Sequence, residues 1–307
     1  PMAVDVMVGL SAEDRLTCWE SDVWSQGHTS RPGFAGSPGL LAYSHLQSGE
    51  KLPDPVDPPA GRGGGSTRNA VPGYSVPVRK VRGHRRQDVA LRSSSLRTLG
   101  AFGNVFAIES MMDEAAECAG ADPLEFRLAH LDDDRGRAVL LAVAEHVGWA
   151  DRPRDGDVAL GLGYARYKSR GAYCAVVAEV EAVSDIRVRR LSLAVDVGRV
   201  VNPDGVRSQI EGGAVQSTSW TLKERVRFDR TRVTSTDWET YPILRFSETP
   251  EVEVLLLDRP ELPSVGSGEA SQGPTAAAIA NAVASATGVR VRDLPITAER
   301  VVQAMDA

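Results

Sequence analysis

Hydrophobic positions alternate from the first residues of the chain. Val4, Val6 and Val8 occupy every second place, the Ala12-Glu13-Asp14 segment interrupts them, and Leu16, Cys18 and Val23 follow. A period of two is the signature of a strand, whose successive side chains leave on opposite faces. Residues 3–24 are therefore expected to form strand, turn and strand. Beyond residue 100 the period changes. Ala101 to Ala119 is nearly apolar throughout its first half, which predicts a helix buried on most sides. Asp122-Pro123-Leu124-Glu125 opens a second helix, with a capping acid, a Pro where no N–H is needed and a capping-box Glu. A third helix is expected over about Arg135 to Val147. It carries Val139, Leu140, Val143 and Val147 on one face and Gly148 at its end.

The second half returns to period two. Tyr173 to Val183 and Ile186 to Val197 read as long strands joined in a hairpin at Ser184-Asp185. In the second of them the apolar phase runs Ile186, Val188 and then Leu191, Leu193, Val195, Val197. That slip of one residue predicts a β-bulge near Arg189-Arg190, since a register shift of one would otherwise exchange the two faces. Asn202-Pro203 caps a helix to about Trp220, and strands are expected near Arg225 to Phe228 and Glu251 to Leu257. Gly273-Pro274 opens a helix of small residues to Thr287, stopped by Gly288, and a last helix starts at Thr297. Gln47 to Tyr74, rich in Pro and Gly, reads as a long loop of the kind that is often functional. Asp151 to Gly156 reads as a boundary, dividing the chain into residues 1–150 and 151–307. No internal repeat is visible. The fold class expected is α+β, two mixed α/β subdomains with antiparallel sheets, not a doubly wound βαβ array.

Composition narrows the function. The 307 residues are 42% hydrophobic and 25% charged, and no apolar run reaches the roughly 18 residues that span a bilayer. The formal net charge of −6 argues against general nucleic-acid binding. Arg79, Lys80, Arg82, Arg85, Arg86 and Arg92 make one basic run, but Val76, Val78 and Val81 interleave with it, as on an edge strand with a solvated basic face. Cys18, Cys118 and Cys174 are too far apart for a zinc ribbon or an all-cysteine iron–sulfur cluster and read as reduced, mostly buried thiols. His28, His45, His84, His130 and His146 show no metal-ligand spacing. No signal peptide opens the chain, but Pro1-Met2 says little about targeting; the compartment stays open, with the cytoplasm expected over the periplasm.

Two segments suggest chemistry. Val265-Gly266-Ser267-Gly268-Glu269-Ala270-Ser271-Gln272-Gly273 is a glycine-rich turn running into a helix start. A carboxylate there would repel a phosphate, so Glu269 suits a proton-abstracting base held against a ligand; a solvated turn Glu is the plainer alternative. Gln209, Gly212, Gly213 and Gln216 share one helix face by their spacing. Two amides flanking glycines offer donors and acceptors where something approaches the backbone closely. Tight helix packing with solvated glutamines would give the same pattern.

The run Leu96-Arg97-Thr98-Leu99-Gly100-Ala101-Phe102-Gly103 resembles the arginine-containing loop of xanthine dehydrogenase and aldehyde oxidase family molybdopterin-binding large subunits. Asp122-Pro123-Leu124-Glu125-Phe126-Arg127 is similar to that family's D-P-x-E-x-R segment. Asp196-Val197-Gly198, Asn202-Pro203 and Gln209-Ile210-Glu211-Gly212 through Gln216 resemble its D-x-G…N-P…Q-x-E-G…Q pattern. Gly266-Ser267-Gly268-Glu269 resembles the G-x-G-E that carries its catalytic glutamate. Tyr241-Pro242-Ile243-Leu244-Arg245-Phe246 is most similar to the isoquinoline 1-oxidoreductase and nicotinate dehydrogenase branch. One departure stands out: the family's F-R-G-F-G loop is Leu96-Arg97-Thr98-Leu99-Gly100 here.

The resemblance implies a molybdenum-cofactor-binding domain fold. It also implies a hydroxylase that acts on an electron-poor carbon of an aldehyde or N-heteroaromatic, with water as oxygen source. Glu269 would be the base, and Arg97, Gln209, Gln216 and Gly268 would bind a molybdopterin dinucleotide, expected in the cytosine form, with no protein ligand to the metal. Electrons would pass to iron–sulfur clusters on a 2Fe-2S partner subunit. The family's large subunits are over twice this length, so the chain would correspond to their C-terminal half, with a companion chain supplying the rest unless this is a fragment of a longer subunit. A cofactor-less interaction module built on the same fold is the alternative.

Overall fold

The computed structural model describes residues 2–30, 54–88, 91, 94–153 and 156–306. Gln47 to Pro53 of the long loop, His45, Arg92 and the Arg154-Asp155 pair of the expected boundary lie outside the described residues.

Strands β1 (Met2–Leu10) and β2 (Leu16–Ser25) form the expected hairpin, and β3 (Val78–Arg85) lies beside β2 at the sheet edge. Arg79 to Arg85 of the basic run thus lie on an edge strand, and some of its charges are answered across the ladder. Arg82 pairs with Asp22 and Glu20, Lys80 with Glu20 and His84 with Asp22. Helices α1 (Ala101–Cys118), α2 (Pro123–Ala129) and α3 (Asp134–Val147) follow. Asp122 caps α2 by accepting from the N–H of Leu124 at 2.9 Å, and Gly148 ends α3 in the left-handed region at φ 64°.

The second sheet runs β4 (Val158–Arg166), β5 (Tyr173–Ala182), β6 (Ile186–Asp196) and β7 (Glu251–Leu256), in that order. The β5–β6 ladder pairs Glu179 with Arg190 and then Val180 with Val188, leaving Arg189 as the extra residue of the expected bulge. Helices α4 (Pro203–Leu222), α5 (Gln272–Thr287) and α6 (Ala298–Met305) complete the chain, with Asn202 and Thr297 capping α4 and α6.

Two expectations need correction, and one strand was not foreseen. Both sheets are mixed rather than antiparallel, because β3 pairs parallel to β2 and β7 parallel to β6. Each of those strands is reached by a long connection, which lets the chain come back in the same direction. Arg225 to Phe228 is not a strand; Phe228 makes one isolated bridge to Val233, and the segment closes on its own turn. Finally, β4 was not legible, because Gly161 and Gly163 weaken its alternation. Those glycines let α5 lie directly on the sheet: a Cβ at Gly161 would stand 2.1 Å from Ala282 N, and one at Gly163 2.3 Å from Pro274 O. Backbone cannot retreat as a side-chain tip can. Gly161→Ala is therefore expected to destabilise the fold by about 1–3 kcal/mol, read as a lower urea midpoint at unchanged slope; an unshifted midpoint would refute the close packing.

The second sheet is buried on both faces. Tyr173, Ala175 and Val177 pack with α1, α2 and α3, together with Leu16 and Trp19 of β2. The alternate residues Cys174, Val176, Ala178 and Val180 pack under α4, α5 and α6. Residues from before and after the 151–156 segment share the first of these cores. Within it, Arg127 and Glu109 are 0% and 1% exposed and bonded at 2.9 Å.

Candidate active site

The loop between β7 and α5 carries the glycine-rich turn, and side chains from distant segments hold it. Val265 N–H donates to Val197 O at 2.9 Å, just past the end of β6. Ser271 Oγ donates to Ile210 O at 3.0 Å and Ser217 Oγ to Gln272 O at 2.6 Å, tying the loop to α4. Gly213 makes this approach possible, since a Cβ there would stand 2.3 Å from Ser271 Oγ. Half of the glycine patch is therefore packing. Gly212, by contrast, is exposed, and a Cβ there would meet nothing within 4 Å.

Arg97 joins the loop to the helix. Its Nε donates to Gly268 O, its Nη2 to Gln209 O at 3.0 Å, and its Nη1 and Nη2 reach Gln216 Oε1 and Gln209 Oε1 at 3.4 Å each. With the Gln272 amide turned oxygen-first to the guanidinium, that buried side chain also accepts from Arg97. Arg97, Gln209, Gln216, Gly268 and Glu269 are thus brought to one place. Two glutamine carbonyls face the arginine, which leaves both amide NH₂ groups without an acceptor among the described residues.

Glu269 is half-buried, and both carboxylate oxygens are held. Oε1 accepts from Thr98 N–H at 2.8 Å and Oε2 from the Tyr167 hydroxyl at 2.6 Å. Thr98 presents that N–H from a left-handed backbone, φ 76°, followed by Leu99 at φ 55°. This conformation is costly for a β-branched residue, on the order of 1–3 kcal/mol, and clusters at functional sites. Thr98 Oγ1 is also buried without a partner among the described residues. Behind Tyr167, Arg68 Nη1 donates to the phenol oxygen at 2.7 Å, while its Nη2 and Nε bond Gly64 O and Gly63 O. A donor chain therefore runs from Arg68 through Tyr167 to Glu269.

The electrostatics follow from these contacts. Burial is the largest influence on Glu269 and opposes its charge. The Tyr167 hydroxyl, the Thr98 N–H and the charges of Arg68 and Lys168 together outweigh it and hold the carboxyl below its usual range. Burial, then the bond to Glu269, pushes the Tyr167 phenol well above its ordinary value, so it remains a donor. Tyr167→Phe is expected to raise the Glu269 pKa, because it removes the strongest counterweight to burial. A ¹³C NMR titration of glutamate-labelled chain, with the signal identified by its loss in Glu269→Gln, checks this. An unmoved titration point would show that Tyr167 does not set the carboxylate's proton affinity.

Thr98, Tyr167, Arg68 and Gln272 escaped the sequence reading as partners of the base. Arg68 lies in the long Pro/Gly loop whose length was itself a signal, and Thr98 adjoins Arg97; nothing local marks Tyr167. Other motif residues serve the scaffold. Asp196 is fully buried, accepts from Arg135, Arg259 and Gly198 N, and anchors the end of β6. His130 is buried, bonded to Leu16 N and Phe126 O. Among the described residues no group of three or more His, Cys, Asp or Glu could hold a metal ion.

A glycine-borne carboxylate, an arginine clamp and an amide–glycine helix face meet on this α+β frame, and the molybdopterin cofactor-binding domain model matches residues 137–250. The chain belongs to the xanthine dehydrogenase family. It is 46% identical to a nicotinate dehydrogenase polypeptide of Pseudomonas putida over 228 residues, 69% of this chain and 19% of that protein. To the beta subunit of isoquinoline 1-oxidoreductase from Brevundimonas diminuta it is 37% identical over 232 residues, 73% of this chain and 29% of that one. The chain thus spans less than a third of either relative. Its fold matches that of quinoline 2-oxidoreductase from Pseudomonas putida 86, with a TM-score of 0.75 at 14% identity, over 99% of this chain and 62% of that one.

Proposed function

We propose that this chain forms one wall of the active site of a molybdenum hydroxylase, hydroxylating an electron-poor carbon of an N-heteroaromatic or aldehyde with water as oxygen source. The observation that carries the reading is the Glu269 carboxylate, ionised, oriented at both oxygens and bordering a cleft of about 410 Å³. Two relatives are named for N-heteroaromatics, nicotinate and isoquinoline, which supports that substrate class.

The residues beside Glu269 suit a molybdopterin dinucleotide. The free amide NH₂ groups of Gln209 and Gln216 are donors for phosphate or pterin oxygens, and the open positions at Gly212 and Gly266 admit a ligand against the backbone. Arg97 would hold the loop and helix in the spacing the cofactor needs, with Gly268 letting the two approach. When bound, the cofactor, taken in its cytosine dinucleotide form, supplies the redox centre for a two-electron oxidation. Glu269 accepts the proton that water gives up on becoming a nucleophile, using the lone pairs that its two hydrogen bonds leave free. A companion chain would close the site, and a 2Fe-2S subunit would carry electrons away. Paired substitution of Glu269 and Arg97 in the assembled enzyme, with rate and molybdenum per chain as readouts, tests this.

A further inference from the structure

The charged lining of the cleft at Glu269 is mostly cationic. Arg62, Arg68, Arg97 and Lys168 border it, against the one carboxylate of Glu269. Arg68 and Arg97 have their donors engaged by carbonyl, amide and hydroxyl oxygens. Neutral acceptors satisfy donors without cancelling charge, so both remain positive toward the cleft. Lys168 and Arg62 differ, because among the described residues neither side chain has a hydrogen-bond acceptor or an ion-pair partner.

Lys168 is held in position at some cost. Its backbone is left-handed, φ 56°, and Ser169 follows at φ 56°. Asn69 clasps this turn: its Oδ1 accepts from Lys168 N–H at 2.8 Å and its Nδ2 donates to Arg166 O at 2.9 Å. The lysine stem lies on Gly63, where a Cβ would come within 2.9 Å of Cγ and Cδ. Nζ stands 5.1 Å from the centroid of the Tyr167 ring. Burial and the charge of Arg68 lower the ammonium's pKa, against the opposing pull of Glu269. Backbone strain that is over-determined by its surroundings clusters at ligand clamps.

We propose that Lys168 and Arg62 form an anion subsite in this cleft and select aromatic substrates that carry a carboxylate. The inference rests on the reading of Glu269 as the catalytic base and adds the substrate's charge to it. A cofactor phosphate has the same anion chemistry: Gln209, Gln216 and Gly268 do not border this cleft, but Arg97, which bonds all three, does, so the pyrophosphate titration must tell the two anions apart. A carboxylate docked on the two cations would lay its ring toward Glu269. A charge-assisted hydrogen bond supplies the recognition, and a neutral amide in the same place would lack it.

Calorimetric titration of the chain with nicotinate, nicotinamide and pyrophosphate tests this. Nicotinate is expected to bind at least about tenfold tighter than nicotinamide, the neutral compound with the same ring. Lys168→Met should abolish that preference, Arg62→Met should reduce it, and Lys168→Arg should keep it. In the assembled enzyme Lys168→Met should raise KM for nicotinate with molybdenum per chain unchanged. An unaltered preference in Lys168→Met, or no nicotinate binding by the native chain, overturns the subsite. So does weakened pyrophosphate binding with lost molybdenum at a constant nicotinate-to-nicotinamide ratio, which would assign the cations to the cofactor. Glu269→Gln separates the two readings, since it should lose turnover and still bind nicotinate. Turnover retained in that variant would sink the base assignment and leave the subsite standing.

Discussion

Glu269→Gln is expected to lower turnover of the assembled enzyme by about 10²–10⁴-fold, the usual contribution of a general base, while molybdenum per chain stays at the native level. The amide keeps the carboxylate's shape, and its oxygen still accepts from Thr98 N–H. The other position now presents a donor to the Tyr167 hydroxyl, which already accepts from Arg68. That mismatch is worth about 1 kcal/mol, too little to unfold the site. Proton acceptance at neutral pH is the property lost. Arg97→Ala should behave in the opposite way. It removes the bonds that tie Gly268 O to Gln209 and Gln216, so cofactor content and rate fall together. If Glu269→Gln kept more than about a tenth of the rate, a different group would have to be the base.

Arg127→Met should cost about 3–5 kcal/mol of folding stability, the largest effect expected away from the site. The guanidinium is fully buried, where its Nε bonds Glu109 Oε2 at 2.9 Å and its Nη2 bonds Glu109 O at 2.9 Å. Glu109 also accepts from the Tyr74 hydroxyl at 2.7 Å and Tyr164 N–H at 3.0 Å, so α1, α2 and β4 meet on one carboxylate. Burial pushes the Glu109 carboxyl upward against the pull of these partners. Removing the arginine leaves a buried carboxylate with neutral donors only. Urea denaturation should show a lower midpoint, and Glu109→Gln with Arg127→Met should be less damaged than Arg127→Met alone. A loss below about 1 kcal/mol would mean that the pair is not buried as described.

Much of the architecture is legible in the sequence because its signals are local. The Asp122, Asn202 and Thr297 caps, the Gly148 and Gly288 stops and the phase slip at Arg189 each involve residues a few positions apart. Strand β4 was hidden because its glycines answer to α5, more than a hundred residues later. The parallel placement of β3 and β7 was hidden because no local pattern records the direction in which a long connection returns.

The site divides in the same way. The sequence alone determined that a carboxylate sits on a glycine turn at Glu269 and that Gln209, Gly212, Gly213 and Gln216 share a helix face, and it showed Arg97 in a run that resembles a family motif. Only the tertiary structure decided that Gly213 is there for packing and that Thr98 and Tyr167 orient the base. Those bonds close across 171 and 102 residues, and Arg68 reaches Tyr167 across 99. Residue type and spacing report what a neighbour can do. A hydrogen bond between distant segments depends on how sheets and helices pack, and that is set by the whole buried core.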